Sequence, residues 1–259
     1  MQNKMENEYN KTFYAQMTST ELKATNLTSA QEMVPYILKL FPNTTSVVDV
    51  GCGTGTWAFT FKNNGVETVL GIDGPWVDQA QLLIDEKEFK IHNFESLEVY
   101  SVSMRYNMAI CLEMAEHLDE KYADILIESL TKLSDVVVFS AAIPHQGGVH
   151  HVNEQFQSYW KKKFEAKGYI ALDLLRGSFA DNEKVLIHYT QNILVYVKKS
   201  IENSELEKYY GIPFVTDFIS PKMGLVRGST DWKYLFYIQR KLIRTYIKKI
   251  LIAIHILKQ

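Results

Sequence analysis

The chain has 259 residues, of which 46% are hydrophobic and 22% charged, a normal globular composition that excludes a disordered or fibrous protein. Its two cysteines are too few for a disulfide framework, and no apolar run approaches the roughly 20 residues that span a bilayer. Residues 232–259 carry seven Lys/Arg and no Asp/Glu, which leaves a formal charge of −9 on the first 231 residues. An acidic body argues against a broad nucleic-acid-binding surface. The polar start lacks a signal-peptide core, so we expect a cytoplasmic protein.

Strand and helix patterns alternate through most of the chain. Residues 1–27 are polar and predict an N-terminal arm or lid. A helix is expected to begin after Ser29, with Ser29 as its cap and Glu32 completing a capping box. Runs rich in β-branched and aromatic residues predict seven strands, at 46–50, 68–72, 89–91, 106–111, 135–140, 169–174 and 192–197, and further helices at 122–133 and 154–167.

This alternation predicts the α/β class, with a Rossmann-like, doubly wound, mostly parallel sheet of seven strands between helices. The alternation stops after Ser200, which divides the chain into an arm (1–27), an α/β domain (28–200) and a C-terminal helical extension (201–259). Residues 234–257 of the extension combine an apolar stripe with interleaved Lys/Arg. Such a helix could pack within its own chain, form a homo-oligomer, lie on an anionic membrane surface or bind RNA. We expect intramolecular or dimer packing.

The segment from Asp49 to Gly55 reads Asp-Val-Gly-Cys-Gly-Thr-Gly and follows a predicted strand. A turn rich in glycine lets the backbone approach a ligand closely. A dinucleotide fingerprint would place its third glycine at Thr56, whereas this chain has Gly55. Asp73 ends the second strand, where a carboxylate can accept hydrogen bonds from both hydroxyls of a ribose. The turn and Asp73 together indicate a nucleoside-containing cofactor.

The spacing Asp-x-Gly-x-Gly-x-Gly resembles motif I of class I S-adenosylmethionine-dependent methyltransferases. Further segments resemble a bacterial subgroup of these enzymes that is associated with surface-polysaccharide clusters, and the resemblance covers about residues 25–200. The segments that carry it are 46–57, 69–77, 112–118, 139–148, 151–155 and 191–193. The resemblance implies a methyltransferase that uses S-adenosylmethionine.

The resemblance also implies which residues contact the cofactor. The glycine turn would hold its amino-acid end, Asp73 its ribose, and the residues after the third strand its adenine. The implied residues are Asp49, Gly51, Cys52, Gly53, Gly55, Trp57, Asp73, Gly74, Trp76, Asn93, Phe94 and Leu112. Asn93 departs from the Asp that is more usual there, so it could accept from the adenine amine only through its carbonyl oxygen.

A Glu-x-x-Glu-His segment follows the fourth predicted strand, with Glu113, Glu116 and His117 spaced to share one side of a helical turn. Two carboxylates and an imidazole suit Mg²⁺, Mn²⁺ or Fe²⁺. The segment is similar to the metal site of terminal-ribose RNA methyltransferases and of ubiquinone-pathway O-methyltransferases. A fourth ligand could come from a histidine after the fifth strand, namely His145, His150 or His151. His151 is favoured because it aligns with the subgroup's His-Val/Ile-Asn-Glu-Gln motif.

Two interpretations without a metal remain open for these residues. Glu113, His117 and His151 could instead be catalytic residues that contact the acceptor, with His151 taking a proton from it. Alternatively, Glu113 and His117 only hold loops in place by hydrogen bonds. The spacing alone does not decide between these interpretations and a metal site.

The expected activity is methylation of an oxygen on a small polar acceptor in surface-glycan or capsule biosynthesis. The acceptor could be a sugar hydroxyl, a nucleotide-linked precursor or a phosphate-type substituent. The alternatives are metal-dependent 2′-O-methylation of a terminal RNA ribose, N-methylation of an amine or phosphoramide, and a non-catalytic cofactor-binding partner. We expect a small-molecule or glycan-precursor partner, no nucleic acid, and a location in the cytoplasm or at the inner membrane surface.

Overall fold

The computed structural model describes residues 20–201, 206, 208–220 and 223. The chain divides into two compact units, residues 1–210 and residues 211–259, and the elements below belong to the first. The main helices are α1 (Thr20–Leu40), α2 (Thr56–Asn63), α3 (Ala123–Leu133), α4 (Gln157–Ala166), α5 (Arg176–Phe179) and α6 (Ile187–Asn192). The strands are β1 (Ser46–Val50), β2 (Thr68–Asp73), β3 (Phe89–Ile91), β4 (Met108–Leu112), β5 (Val136–Ser140), β6 (Tyr169–Leu172) and β7 (Leu194–Lys198).

The seven strands form one sheet in the order β3-β2-β1-β4-β5-β7-β6. Neighbouring strands from β3 to β5 are parallel, whereas β7 is antiparallel to both β5 and β6. The predicted fold class is therefore confirmed, with strand ends within two residues of those expected. The strand order reverses between β1 and β4, and ligands of open α/β sheets bind at the carboxyl ends of the strands beside such a reversal.

Helices cover both faces of the sheet because successive strand residues point to opposite sides. Val138 of β5 belongs to the apolar cluster that includes side chains of α1 and α2. Its neighbour Phe139 packs instead against Trp160 and Phe164 of α4, at ring-centroid distances of 5.2 and 5.5 Å. Burial on both faces explains why β1, β4 and β5 are nearly continuous apolar runs.

Helix α1 begins at Thr20, so the predicted start after Ser29 is wrong. Ser29 lies inside the helix, where its hydroxyl donates to the Thr25 carbonyl (2.9 Å) and accepts from the Leu186 amide (3.0 Å). Glu32 accepts from the side chains of Asn182 (3.0 Å) and Lys184 (2.8 Å). The two residues thus connect α1 to the segment before α6 and do not cap a helix. Residues 1–19 of the predicted arm lie outside the described residues.

The first compact unit extends beyond the predicted domain end at residue 200. Ile201, Leu206, Tyr209 and Tyr210 all contribute to its apolar core. The amphipathic segment 234–257 lies outside the described residues, and the three-part division of the chain stays a prediction. Among the helices that the structure describes, none has both the length and the apolar character needed to cross a bilayer.

Candidate active site

The glycine turn lies between β1 and α2, at the carboxyl edge of the sheet. Gly51, Gly53 and Gly55 have φ values of 75°, 55° and 79°, in the left-handed region that favours glycine. A Cβ added to Gly51 would come within 2.7 Å of the Met114 Cβ, so this glycine allows close packing. Apart from Gly53 itself and its two neighbours in the chain, no described atom lies within 4 Å of a Cβ built on Gly53. The backbone of Gly53 therefore faces open space into which a ligand fits.

Asp73 ends β2 as predicted, and its buried carboxylate joins the two loops at this edge. Its Oδ2 accepts from the Gly53 amide at 2.7 Å. Its Oδ1 accepts from the Gly74 amide at 2.6 Å and from Trp76 Nε1 at 3.0 Å. One carboxylate thus fixes the glycine turn relative to the loop after β2.

Asp49 lies in β1, just before the turn, and is buried. Burial raises the pKa of its carboxyl to about 8; the Ala58 amide of α2 acts in the opposite direction, and the negative charge of Asp73 adds to the rise. Its Oδ2 has no hydrogen-bond partner among the described residues. A buried carboxylate with an unused oxygen beside an open turn fits a cationic group, such as the ammonium of S-adenosylmethionine.

The other residues that the resemblance assigns to the cofactor occupy several environments. Trp57 lies in the core, where its Nε1 donates to the Tyr189 hydroxyl (3.3 Å) and the two rings meet edge to face. Asn93 follows β3 in an exposed turn, with its Oδ1 accepting from the Glu95 amide at 2.9 Å. The remaining three are buried, and Leu112 is the last residue of β4: Cys52, Phe94 and Leu112. The cofactor roles of all these residues stay predictions.

Glu113 follows β4 and has a φ of 52°, which is uncommon for a residue with a side chain. Its carboxylate accepts from Gln146 Nε2 at 2.9 Å and from Asn192 Nδ2 at 3.0 Å. Its amide donates to Ser140 at the end of β5. These bonds connect the end of β4 to the loop after β5 and to α6. The partners of the Glu113 carboxylate are side-chain amides.

Glu116 has no exposed surface, and neither carboxylate oxygen has a hydrogen-bond partner in the described part of the chain. Burial raises the pKa of Glu116 well above its usual range, the charge of Glu113 adds to this, and the amides of Glu116 and Ala142 act in the opposite direction. His151 Nε2 lies 4.0 Å from Glu116 Oε1. Buried polar groups are normally satisfied, so this carboxyl is a candidate for a functional role.

Two histidines face Glu116 with one ring nitrogen already engaged. His117 Nδ1 lies 3.2 Å from the His150 carbonyl, and His151 Nδ1 lies 2.9 Å from Glu154 Oε1. Because a carbonyl and a carboxylate only accept, both Nδ1 atoms carry a hydrogen, so in a neutral ring the lone pair is on Nε2. Burial, together with neighbouring His151, lowers the pKa of His117 to about 4, which keeps its ring neutral.

Glu116, His117 and His151 each offer one ligand atom, and these atoms lie within 4.8 Å of one another. Histidine ligands of metals usually donate their second ring N–H to a carbonyl or carboxylate, as both rings do here. The donor set therefore fits a divalent cation. The structure brings together three of the four predicted metal ligands, whereas Glu113 lies in the separate network with Gln146 and Asn192.

Two residues at this edge had no assigned role in the sequence interpretation. Glu154 holds His151, and Gln146 donates to Glu113. Glu154 and Gln146 belong to segments that carry the family resemblance. Their roles depend on which residues the loop after β5 contacts in the folded chain. The only local signal was the position of Glu154, three residues after His151 in the His-Val-Asn-Glu-Gln segment.

Comparisons with known proteins agree with this architecture. A family model described as a methyltransferase domain matches residues 24–173, more than half of the chain. The solved structure of DesVI from Streptomyces venezuelae is 12% identical, with a TM-score of 0.53 over 68% of this chain and 92% of that chain.

Two further solved structures have similar coverage. CalS10, described as an amino pentose methyltransferase from Micromonospora echinaspora involved in calicheamicin biosynthesis, is 13% identical, with a TM-score of 0.48 over 65% of this chain and 89% of that chain. The methyltransferase domain of bacterial CtHen1-C is 23% identical, with a TM-score of 0.48 over 66% and 97%. None of the curated proteins matches the sequence.

Proposed function

Because the chain belongs to the methyltransferase-domain family and is an S-adenosylmethionine-dependent methyltransferase, we propose that it methylates a hydroxyl oxygen of a small, uncharged polar acceptor. We further propose that this acceptor is a sugar hydroxyl in surface-glycan assembly. One observation carries the choice of oxygen. The buried carboxyl of Glu116 lies within 4.8 Å of ligand atoms of His117 and His151, and a hydroxyl needs such a group to assist its deprotonation.

The cofactor side is proposed to follow the glycine turn. S-adenosylmethionine supplies a methyl group on a positively charged sulfur, which a lone pair of the acceptor displaces. The free Oδ2 of Asp49 would pair with the ammonium, and the open space at Gly53 would take the amino-acid end. Asp73 would accept from the ribose hydroxyls, because its carboxylate already lies between the two loops that border the cofactor.

On the acceptor side, Glu116, His117 and His151 would hold a divalent cation, Mg²⁺ or Mn²⁺. When bound there, the cation would lower the pKa of the acceptor hydroxyl. The hydrogen bonds at Nδ1 of both imidazoles leave Nε2 as the nitrogen of the neutral ring that can bind a cation. In the competing arrangement without a cation, His151 Nε2 takes the hydroxyl proton directly.

The charge of the acceptor side favours an uncharged substrate. The segments that enclose it, residues 112–118, 139–156 and 186–193, contain no Lys or Arg. Phosphate groups and RNA backbones are recognised largely by these two residue types. The absence of both types supports a sugar hydroxyl over a nucleotide-linked precursor, a phosphate-type substituent or RNA.

The cation can be tested without knowing the acceptor. We expect the full-length protein to bind Mn²⁺, measured by electron paramagnetic resonance after removal of metals. Glu116→Gln should weaken this binding at least about tenfold, since even partners of metal ligands are worth about 10–100-fold. Glu165→Gln, an exposed change on α4, is the matched control and should bind Mn²⁺ normally. Calorimetry with S-adenosylmethionine should give the same affinity for all three proteins.

Activity then tests the acceptor class. Methyl-labelled cofactor and a neutral glycan fraction should give a labelled methyl ether, in a reaction that EDTA stops and Mn²⁺ restores. Full activity in excess EDTA, with no metal in the protein, would refute the cation and leave His151 as the base. Label recovered on nitrogen, on phosphate or in RNA would refute the proposed acceptor.

A further inference from the structure

We propose that Glu154 is a positioning residue, which fixes His151 in the tautomer that presents an unprotonated Nε2 to Glu116 and the acceptor. The catalytic meaning of this inference rests on the proposed function. The tautomer itself does not, because it depends only on contacts within the protein. Glu154 would act through His151, without touching the substrate.

The carboxylate of Glu154 is held in one position by three donors. Its Oε1 lies 2.9 Å from His151 Nδ1 and accepts from the Gly147 amide at 2.6 Å. Its Oε2 accepts from the His145 amide at 2.7 Å. The side chains of Glu154 and His151 are only 18% and 12% exposed, so water competes little for these bonds.

The same carboxylate anchors a strained loop. His145, Gly147 and His150 have φ values of 67°, 61° and 59°, and two of them carry side chains that disfavour this region. Strained backbone persists only where the surroundings over-determine it. Glu154 supplies such a restraint by accepting from the amides of His145 and Gly147. A purely structural role, as an anchor for this loop, is therefore the alternative to be excluded.

The Glu154→Gln variant separates the two roles. A glutamine keeps one oxygen to accept from the loop amides, but its NH₂ group can only donate. If that group faces His151 Nδ1, the imidazole must carry its hydrogen on Nε2, because the hydrogen bond at one ring nitrogen sets the tautomer. In that orientation the substitution should reverse the tautomer and lose the Gly147 bond made by the same atom, while the remaining oxygen still accepts from the His145 amide.

The tautomer can be read directly by NMR. Full-length protein with ¹⁵N-labelled imidazoles is studied in EDTA at a pH of about 8, where an ordinary histidine is neutral. The signals of His151 are identified by their loss in His151→Asn. We expect a protonated Nδ1 and a lone pair on Nε2 in the unmodified protein, and the reverse in Glu154→Gln. Glu165→Gln is the matched control and should leave the pattern unchanged.

Activity gives a second readout. The turnover number kcat of Glu154→Gln should fall about 10–100-fold, as for other partners that orient a functional histidine. KM for S-adenosylmethionine should not change, because Glu154 contacts the histidine loop and not the glycine turn. A rise in this KM with kcat unchanged would overturn the assigned role.

A protonated Nε2 on His151 in the unmodified protein would overturn the proposal, whether or not any variant folds. A tautomer left unchanged in Glu154→Ala, where no acceptor faces His151 Nδ1, would overturn it as well and leave Glu154 as a loop anchor. Failure to find O-methylation would refute the proposed function and leave the tautomer result intact. The two failures can therefore be told apart.

Discussion

Replacing Asp49 by Asn removes a titrating charge from the cofactor site while keeping the shape of the side chain. The pKa of Asp49 is raised to about 8, so the carboxyl is mostly protonated at neutral pH in the cofactor-free protein. The ammonium of S-adenosylmethionine needs the ionised form. Binding should therefore release a proton, and affinity should rise as pH increases towards 8.

The size of the change in affinity follows from the release of one proton for each cofactor molecule that binds. Well below the pKa, affinity should change about tenfold per pH unit, or about 1.4 kcal/mol, and because half of Asp49 is ionised at a pH of about 8, the change between pH 6 and pH 8 is roughly 50-fold. Above a pH of about 8 the amino group of the cofactor also loses its proton, which limits the useful range. Asp49→Asn should bind more weakly at pH 8 and should lose this pH dependence.

Stability should change in the opposite sense. A carboxyl whose pKa is raised from 3.8 to about 8 keeps a proton that the unfolded chain releases. The free energy of unfolding therefore falls as pH rises through this range, by at most about 1.4 kcal/mol per unit from this group. Asp49→Asn does not ionise. At pH 9 and without cofactor, the variant should be more stable than the unmodified protein.

The assay is titration calorimetry with S-adenosylmethionine at pH 6, 7 and 8, repeated in buffers of different ionisation enthalpy so that released protons are counted. Asp124→Asn, a change at an exposed residue of α3, is the matched control and should keep the full pH dependence. The same slope in Asp49→Asn as in the unmodified protein would refute the reasoning, as would a flat affinity in the unmodified protein.

Three further outcomes are expected. Gly53→Val should abolish cofactor binding seen by calorimetry, whereas Gly65→Val, at a glycine that also has a positive φ and no described atom near its Cβ, should cost only stability. Tyr189→Phe should leave the Trp57 N–H unpaired, lowering the free energy of unfolding in urea by about 1–3 kcal/mol, with cofactor affinity unchanged if Trp57 belongs to the core. Truncation after Tyr210 should keep the thermal unfolding transition and cofactor binding, and loss of either would show that the rest of the chain is needed for the domain.

The parts of the site that depend on local order could be predicted from the sequence. A strand, a glycine turn and an acidic strand end follow one another along the chain, so Gly53 and Asp73 lie where expected. Glu116, His117 and His151 also meet as predicted, because β4 and β5 are neighbours in a parallel sheet.

The parts of the site that depend on contacts between distant segments could not be predicted from the sequence. The helical spacing that grouped Glu113 with Glu116 does not apply, because Glu113 has a left-handed φ and only a 3₁₀ turn follows it. Its partner Asn192 comes from α6, far along the chain. Ser29 has the pattern of a helix cap, but its hydroxyl binds the Leu186 amide, and no local pattern records that contact.

The reversed direction of β7 has an evolutionary consequence. Because β6 is antiparallel to β7, the connection between them, including α6, lies at the same edge as the carboxyl ends of β4 and β5. That connection supplies Asn192 to the acceptor side, whereas β1 and β2 carry the glycine turn and Asp73. Under the proposed function, substitutions and insertions between residues 173 and 193 would change which acceptor is used while the methyl donor stays the same. Related proteins could therefore evolve different substrates through sequence changes in this one connection between β6 and β7.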